Sequence, residues 1–598
     1  MKNIQSISSL LFTFCGVLLL STVFMTDTEL EDGIVMGKVH WFHQVMIFLS
    51  ICCFIILIKS RKFIAISFSD VLVLLLAIVV ALTYDWQLNP APEKILFGTQ
   101  LVILWFLLRF IFNGWAKLKL VFIIIIIITG VIEALLGIAQ LHGLLESNHT
   151  LFNLTGHFYN PGPYSGYLAL ILPICLWVIF NFKKDNKWLM GLAGVCLFSI
   201  LVVLPAGMSR TAWLSAVFSS GWVCWMQFLG IKKTKNIIKK NRTLSIISAI
   251  LLFALLCYSL NGIYRLKEDS ANGRFYLWKV TSMAFLEQPF TGTGVGGFRV
   301  AYANAQAKYF SSVEAKKSEK ILADCPHYGF NELLQLGLEL GVIGLSLFVT
   351  LLVYSLSQGI KNRHVGVVGG LLSLIIFSFA SYPLQLPEFW VVFIVLLVIA
   401  NSEVSIDLPN FKILKVNKSS FVIIGGLTLC SVFVSLQQEK YIIGYEKWHT
   451  AKILYNYKVY NAAQEEYKNL VTVLKHRSEL LFEIALCFNR EKKYEKANDL
   501  LYQAMKLSSD PMIYYVAAQN EQLMGNYTEA EKLLLHIIKI LPVRIYPYYL
   551  LAKLYLEPTF FHENKFINAA SVVLYEKPKV YNDAIWKMRK EIGGFMLK

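Results

Sequence analysis

The sequence predicts an all-α protein, a polytopic membrane helical bundle followed by a C-terminal α-solenoid. Three observations carry that expectation. Apolar residues make up 56% of the 598 residues, and Asp, Glu, Lys and Arg together only 16%, against about a quarter charged in soluble domains. Apolar runs long enough for a bilayer recur along the first 436 residues. From about residue 440 the chain turns charged and aromatic, and small residues return at a fixed period.

The apolar runs lie near 7–25, 41–58, 64–83, 94–112, 118–140, 162–181, 187–204, 210–229, 243–260, 331–357, 365–382, 386–401 and 420–436. That makes about thirteen transmembrane helices, each run being at or near the length of a crossing. No small-residue cleavage site follows 7–25, so it reads as the first membrane helix and not a removed leader. Lysine and arginine fill every second loop: Lys59, Arg61 and Lys62; Lys117 and Lys119; Lys183, Lys184 and Lys187; the stretch 230–242; Lys361 and Arg363; Lys412, Lys415 and Lys418. The intervening short loops at 26–38, 84–93, 141–161, 205–209 and 383–385 hold almost none. The positive-inside rule sets the N-terminus in the cytoplasm and the alternate loops outside. The long loop 261–330 then falls on the external face, and an odd number of crossings puts 437–598 there too. The net charge of +17 is thereby a topology signal and not a nucleic-acid footprint. The ten cysteines sit mostly inside apolar runs, without disulfide-framework or zinc spacing.

The expected division is a membrane domain at 1–436 and an external domain at 437–598. In the second, Tyr460-x-x-Ala463, Tyr494-x-x-Ala497 and Tyr527-x-x-Ala530 recur at spacings of 34 and 33, with Ala451, Ala485 and Ala518 twelve residues before each alanine. A helix–turn–helix unit of this length, with small residues where paired helices touch, is the tetratricopeptide pattern. Asp510-Pro511 and Leu541-Pro542 close two units, and Phe566-x-x-Ala569 marks a degenerate fourth. Such an array offers a concave surface to a peptide or protein; a spacer bracing the membrane domain fits the same spacing.

Four stretches at the external face hold the candidates for chemistry. A Gly/Pro/Asn-rich turn at 154–163 carries Asn160 and leads into a helix; 204–216 sets Arg210 at a helix mouth; 272–298 opens on Arg274 and continues as an amphipathic segment; 324–345 sets His327 before Asn331, Glu332 and Glu339. Ionisable groups at membrane depth are functional candidates because an unpaired one is costly there. Arginine presents a planar fork of donors suited to phosphate. Two arginines and a histidine on one external boundary suit a lipid-linked phosphate or pyrophosphate. Singly, Arg210 also fits as a snorkelling residue, Arg274 as a helix cap and His327 as an interfacial histidine.

Other patterns lack their context. Gly292, Gly294 and Gly297 spell G-x-G-x-x-G, but no strand precedes them, as a dinucleotide site requires. His40 and His43 have no third ligand nearby, and no Asp-x-Asp pair occurs, so neither a metal site nor any other cofactor is expected. Glu133, inside an apolar run, reads as a carboxylate paired to hold helices in register or as a buried functional group.

In this order the four stretches resemble the O-antigen ligase and polymerase superfamily of bacterial membrane glycosyltransferases, which includes protein O-oligosaccharyltransferases. The resemblance runs through GHFYNPGPYSGYLAL, Ser209-Arg210, Gly273-Arg274 with Pro289, Gly292, Gly294 and Phe298, and His327 with Asn331, Glu332, Gln335, Glu339 and Gly341. It covers roughly residues 90–400. It implies a GT-C-like fold in a bacterial inner membrane and metal-independent transfer of a glycan from undecaprenyl pyrophosphate to an acceptor hydroxyl in the periplasm. His327, Arg274 and Arg210 would be catalytic, and Arg210, Arg274, Asn331, Glu339 and Asn160 would bind substrate. The acceptor would be a lipid A core, a protein, or another repeat unit in a polymerase; a protein partner at the tail is a further expectation. A membrane transporter is the reading from another class. It calls for inverted repeats, and the halves of this sequence show none.

Overall fold

The computed structural model describes residues 2–60, 64–182, 186–312, 315–402, 415–416 and 419–596. Arg61, Lys62, Lys183, Lys184, Lys412 and Lys418 of the charge pattern lie outside the described residues. The membrane part is built from α1 Lys2–Leu20, α2 Gly33–Ser60, α3 Phe68–Thr83, α4 Pro92–Gly114, α5 Leu118–Leu141, α6 Pro161–Phe182, α7 Lys187–Val203, α8 Arg210–Phe228, α9 Gly230–Lys240, α10 Arg242–Arg265, α11 Glu268–Glu287, α12 Phe298–Phe310, α13 Lys317–Leu322, α14 Glu332–Lys361, α15 Val365–Ser378, α16 Pro387–Ala400 and α17 Ser419–Asn456. A two-residue antiparallel ladder, Ile64–Ala65 with Lys415–Val416, is the one sheet among the described residues.

Among the described residues, seven helices are long and apolar enough to cross a membrane: α1, α2, α4, α5, α6, α14 and α17. Helices α8 and α9 meet at 79° and make an eighth if taken together, while α3, α7, α15 and α16 are apolar but shorter. Polar caps trim these: α3, for example, starts where Ser67 and Asp70 form a capping box. Helix α16 is buried along nearly its whole length, as expected of a helix surrounded by others.

The element that positions the candidate site is a break in α14. Gly341 has φ 68° and ψ −176°, a region open in practice only to glycine. The peptide groups that a straight helix would pair internally are met by the segment joining α11 to α12. Val342 N–H donates to Pro289 O at 2.7 Å, Thr293 N–H to Leu338 O at 2.9 Å, and Gly294 N–H to Glu339 O at 2.9 Å. The two backbones run so close that a Cβ on Gly341 would stand 2.1 Å from Phe290 O, and one on Gly292 2.5 Å from Glu339 O.

Beyond α17 come α18 Tyr460–Val473, α19 Ser478–Arg490, α20 Tyr494–Met505, α21 Pro511–Leu523, α22 Tyr527–Ile540, α23 Ile545–Leu554, α24 Glu563–Tyr575 and α25 Asp583–Met596. Each packs on the next. The periodic tyrosines open α18, α20 and α22, and the periodic alanines are all buried. Helix α17 runs without interruption through residue 436, so the membrane part and the tail share one helix. The tail's apolar core also takes in Leu30, Met36, Ala303, Ala307 and Ala323 from the membrane part.

Replacing Gly341 with alanine should destabilise the protein by more than about 2 kcal/mol, because the backbone conformation and the carbonyl of Phe290 both oppose a side chain. Thermal unfolding in detergent checks this against Gly426→Ala, whose added methyl meets nothing and should change little.

Candidate functional site

Each polar member of the segment beginning at His327 has a structural partner. Tyr328 stacks on Tyr382, with centroids 4.8 Å apart. Gly329 N–H donates to Gln335 Oε1 at 2.8 Å. Phe330, at φ 48°, is held through its carbonyl by Trp278 Nε1 at 3.2 Å. Asn331 caps α14, its Oδ1 accepting from Leu334 N–H at 3.1 Å. Glu332 accepts from Leu384 N–H at 2.8 Å and from Gln385 Nε2 at 3.0 Å. Glu339 accepts from Gln335 Nε2 at 3.3 Å and from the N–H groups of Gly296 and Phe298. The histidine loop is therefore a rigid platform.

His327, Asn160 and Glu339 line one cavity of about 810 Å³. Its lining combines His327, Tyr328, Arg299 and Lys94, with Arg477 and Glu479 of the tail, and apolar side chains such as Leu76, Val80, Val102, Leu351 and Ile394. A chamber lined by both charged and apolar groups fits an amphiphile. His327 itself stays solvent-accessible. Burial and the nearby Arg299 lower its pKa, with Glu479 and Asp510 opposing, so its imidazole is neutral at pH 7.

Arg210 and Arg274 are brought together, but not onto the cavity lining. Arg274 donates to Thr211 Oγ1 at 3.3 Å, and Arg210 to Tyr264 O at 3.3 Å. Burial and the adjacent Arg210 lower the Arg274 pKa. Among the described residues no carboxylate pairs with Arg274, and gathered like charges of this kind are an anion site in waiting. An aromatic chain joins the pair to the cavity: Arg274 lies 5.5 Å over Phe330, Phe330 meets Tyr382 edge-on at 5.1 Å, and Tyr382 lines the cavity.

Sequence reasoning overlooked a buried ion pair on the same cavity. Lys38 Nζ lies 2.9 Å from Glu388 Oε1 and 2.9 Å from His157 O, with the lysine 1% and the glutamate 2% exposed. Glu388 stands inside an apolar run, which is the signal that should have found it. Glu133 proves to be paired: its Oε1 lies 2.8 Å from His157 Nδ1, tying α5 to the Asn160 turn. Among the described residues no three His, Cys, Asp or Glu side chains gather to hold a metal ion.

The broken helix, the arginine pair and the histidine platform all fall within residues 194–349, which match the O-antigen ligase family model; this stretch, with Arg210, Arg274, His327, Asn331 and Glu339, is similar to an O-antigen ligase. Two relatives are candidate polysaccharide ligases of Rickettsia. The one from Rickettsia typhi is 27% identical over 209 residues, covering 33% of this chain and 46% of the relative. The one from Rickettsia prowazekii is 25% identical over 291 residues, 47% of this chain and 66% of the relative. The chain thus spans about half to two thirds of the length of these relatives.

Lys38→Met should destabilise the protein by about 3–5 kcal/mol in detergent unfolding, since it strands a buried carboxylate. Lys38→Met combined with Glu388→Leu should recover most of that loss.

Proposed function

We propose that the protein transfers a glycan from a lipid pyrophosphate, undecaprenyl pyrophosphate in a bacterial inner membrane, to an acceptor hydroxyl on the periplasmic side. The observation that carries this reading is the pairing of Arg210 with an Arg274 that has no carboxylate partner among the described residues, beside the platform that presents a neutral His327. The acceptor oxygen attacks the anomeric carbon, and the bond from that carbon to the pyrophosphate oxygen breaks with its electron pair leaving on the phosphate. Arg210 and Arg274 stabilise the charge that grows there. His327 takes the hydroxyl proton and later returns it to solvent. Asn160 and Glu339 on the cavity wall, with Asn331 beneath His327, are assigned to the glycan side.

The prenyl chain suits the apolar side chains that line the cavity. A protein acceptor is favoured over a lipid A core or a growing repeat unit, because the helical array reaches the segment just before His327, where Lys579 Nζ donates to Ala323 O at 3.1 Å and lies 3.2 Å from Asp324 Oδ2, and such arrays hold peptides. Glycan-shift assays on a deletion strain decide the acceptor: loss of mass from envelope glycoproteins with intact lipopolysaccharide ladders selects protein, and the reverse selects lipid A core. Equal loss of polymer length without change in either would select the polymerase.

His327→Ala and Arg274→Ala should each lower transfer by at least about a hundredfold with the protein still folded, measured on reconstituted enzyme with a lipid-linked glycan. The lowered His327 pKa also makes a pH prediction. A base works deprotonated, so activity should fall on the acid side with a midpoint below pH 6.5. An acid limb centred above pH 6.5 would remove His327 as the base.

A further inference from the structure

Resting on the glycan-transfer reading, the geometry points to a role for the C-terminal array inside the reaction chamber: its Glu479, paired with Arg299, is a positioning residue for His327. The cavity is closed around the histidine by three separate parts of the chain, namely the histidine loop, the start of α12 with Arg299, and the turn and helix start at His476, Arg477, Ser478 and Glu479. The site is incomplete without the tail.

The tail's contribution is held firmly. His476 Nε2 lies 2.6 Å from Glu93 Oε1, Tyr445 donates to the same oxygen at 2.7 Å, and Arg477 Nε lies 3.7 Å from it, with its guanidinium 5.1 Å over the Tyr445 ring. All of these groups sit on the side where α4 meets the tail, so the α18–α19 turn is anchored to a membrane helix. Two residues on, Glu479 lies in the first turn of α19, where the helix dipole favours a carboxylate. Its Oε1 is 2.8 Å from Arg299 Nη1. From the other side Ser509 Oγ donates to Arg299 O at 3.4 Å, holding the start of α12 against the tail.

The charged groups facing His327 are Arg299, Glu479 and Asp510, two of the three from the tail. Asp32 and Arg477 lie next along and face Tyr328. Burial works against ionisation of Glu479, but Arg299 and then Arg477 outweigh it and hold the carboxyl down to about 2, so the pair is charged at any working pH. Remove the tail carboxylate and His327 faces a guanidinium without its counter-ion. A tail that merely braced the membrane helices would leave the histidine's titration untouched.

The test uses full-length protein in detergent and needs no substrate. Carbethoxylation of His327 by diethyl pyrocarbonate, followed by peptide mass spectrometry across pH, reads the imidazole directly. Glu479→Gln should lower the midpoint and Arg299→Gln should raise it, each by roughly half to one pH unit, while the double variant returns toward the parent value. Glu479→Asp and Arg299→Lys, which keep both charges, should move it less and cover the case in which a glutamine variant does not fold. Glu495→Gln on exposed α20 should leave it unchanged. Midpoints that stay put in the folded single variants, or that move in the same direction, overturn the inference. Because the readout is independent of transfer, inactive wild-type protein with opposite shifts would instead count against the glycan-transfer reading and support the tail's control of His327.

Discussion

The structure depends on one backbone interruption. A helix broken at membrane depth exposes peptide groups that lipid cannot satisfy, and here a second strand of backbone satisfies them. Pro289, Thr293 and Gly294 meet Val342, Leu338 and Glu339 across the break, while the Glu339 carboxylate gathers the N–H groups at the start of α12. Two patterns fifty residues apart in the chain, a glycine-rich loop and a histidine-led helix start, are thus halves of a single joint. Since α11, which carries Arg274, leads into this loop and the His327 platform leads into α14 ahead of the break, the joint ties the arginine helix to the histidine segment.

Around that joint, buried charges tie distant elements together. Lys38 with Glu388 and His157 with Glu133 connect α2, α16, α5 and the Asn160 turn. Asp70 and Arg109, 3.2 Å apart, connect α3 to α4. Such pairs are poor sources of net stability but costly to break singly, so they specify which helices meet. The same logic extends outward: Glu93 joins α4 to Tyr445, His476 and Arg477. The tail and the membrane bundle are consequently tied together, and both line the cavity.

Much of the candidate site was legible from residue types in context. His327, Arg210 and Arg274 stand out because histidine and arginine at helix mouths are costly unless used, and the two arginines do meet. What stayed hidden is how the set divides. Asn331 and Glu339, ligand-binding candidates in the sequence, also hold backbone: one caps α14, the other clasps the glycine loop. Lys38 and Glu388 escaped notice because their partners lie hundreds of residues away. Arg299 and Glu479 look like ordinary surface charges until the fold sets them beside His327.

The helical class, the membrane character, the period of the tail and a short list of candidate side chains are all legible in the linear chain. These follow from apolar run length, from charge placement and from the energetic penalty on polar groups in lipid, all of which are local properties. Which apolar runs end as short helices, that α17 carries the membrane part into the tail, and that the tail lines the cavity emerge only in three dimensions. Those outcomes rest on pairings of backbone and charge between remote segments, and a linear pattern holds no record of distance in space.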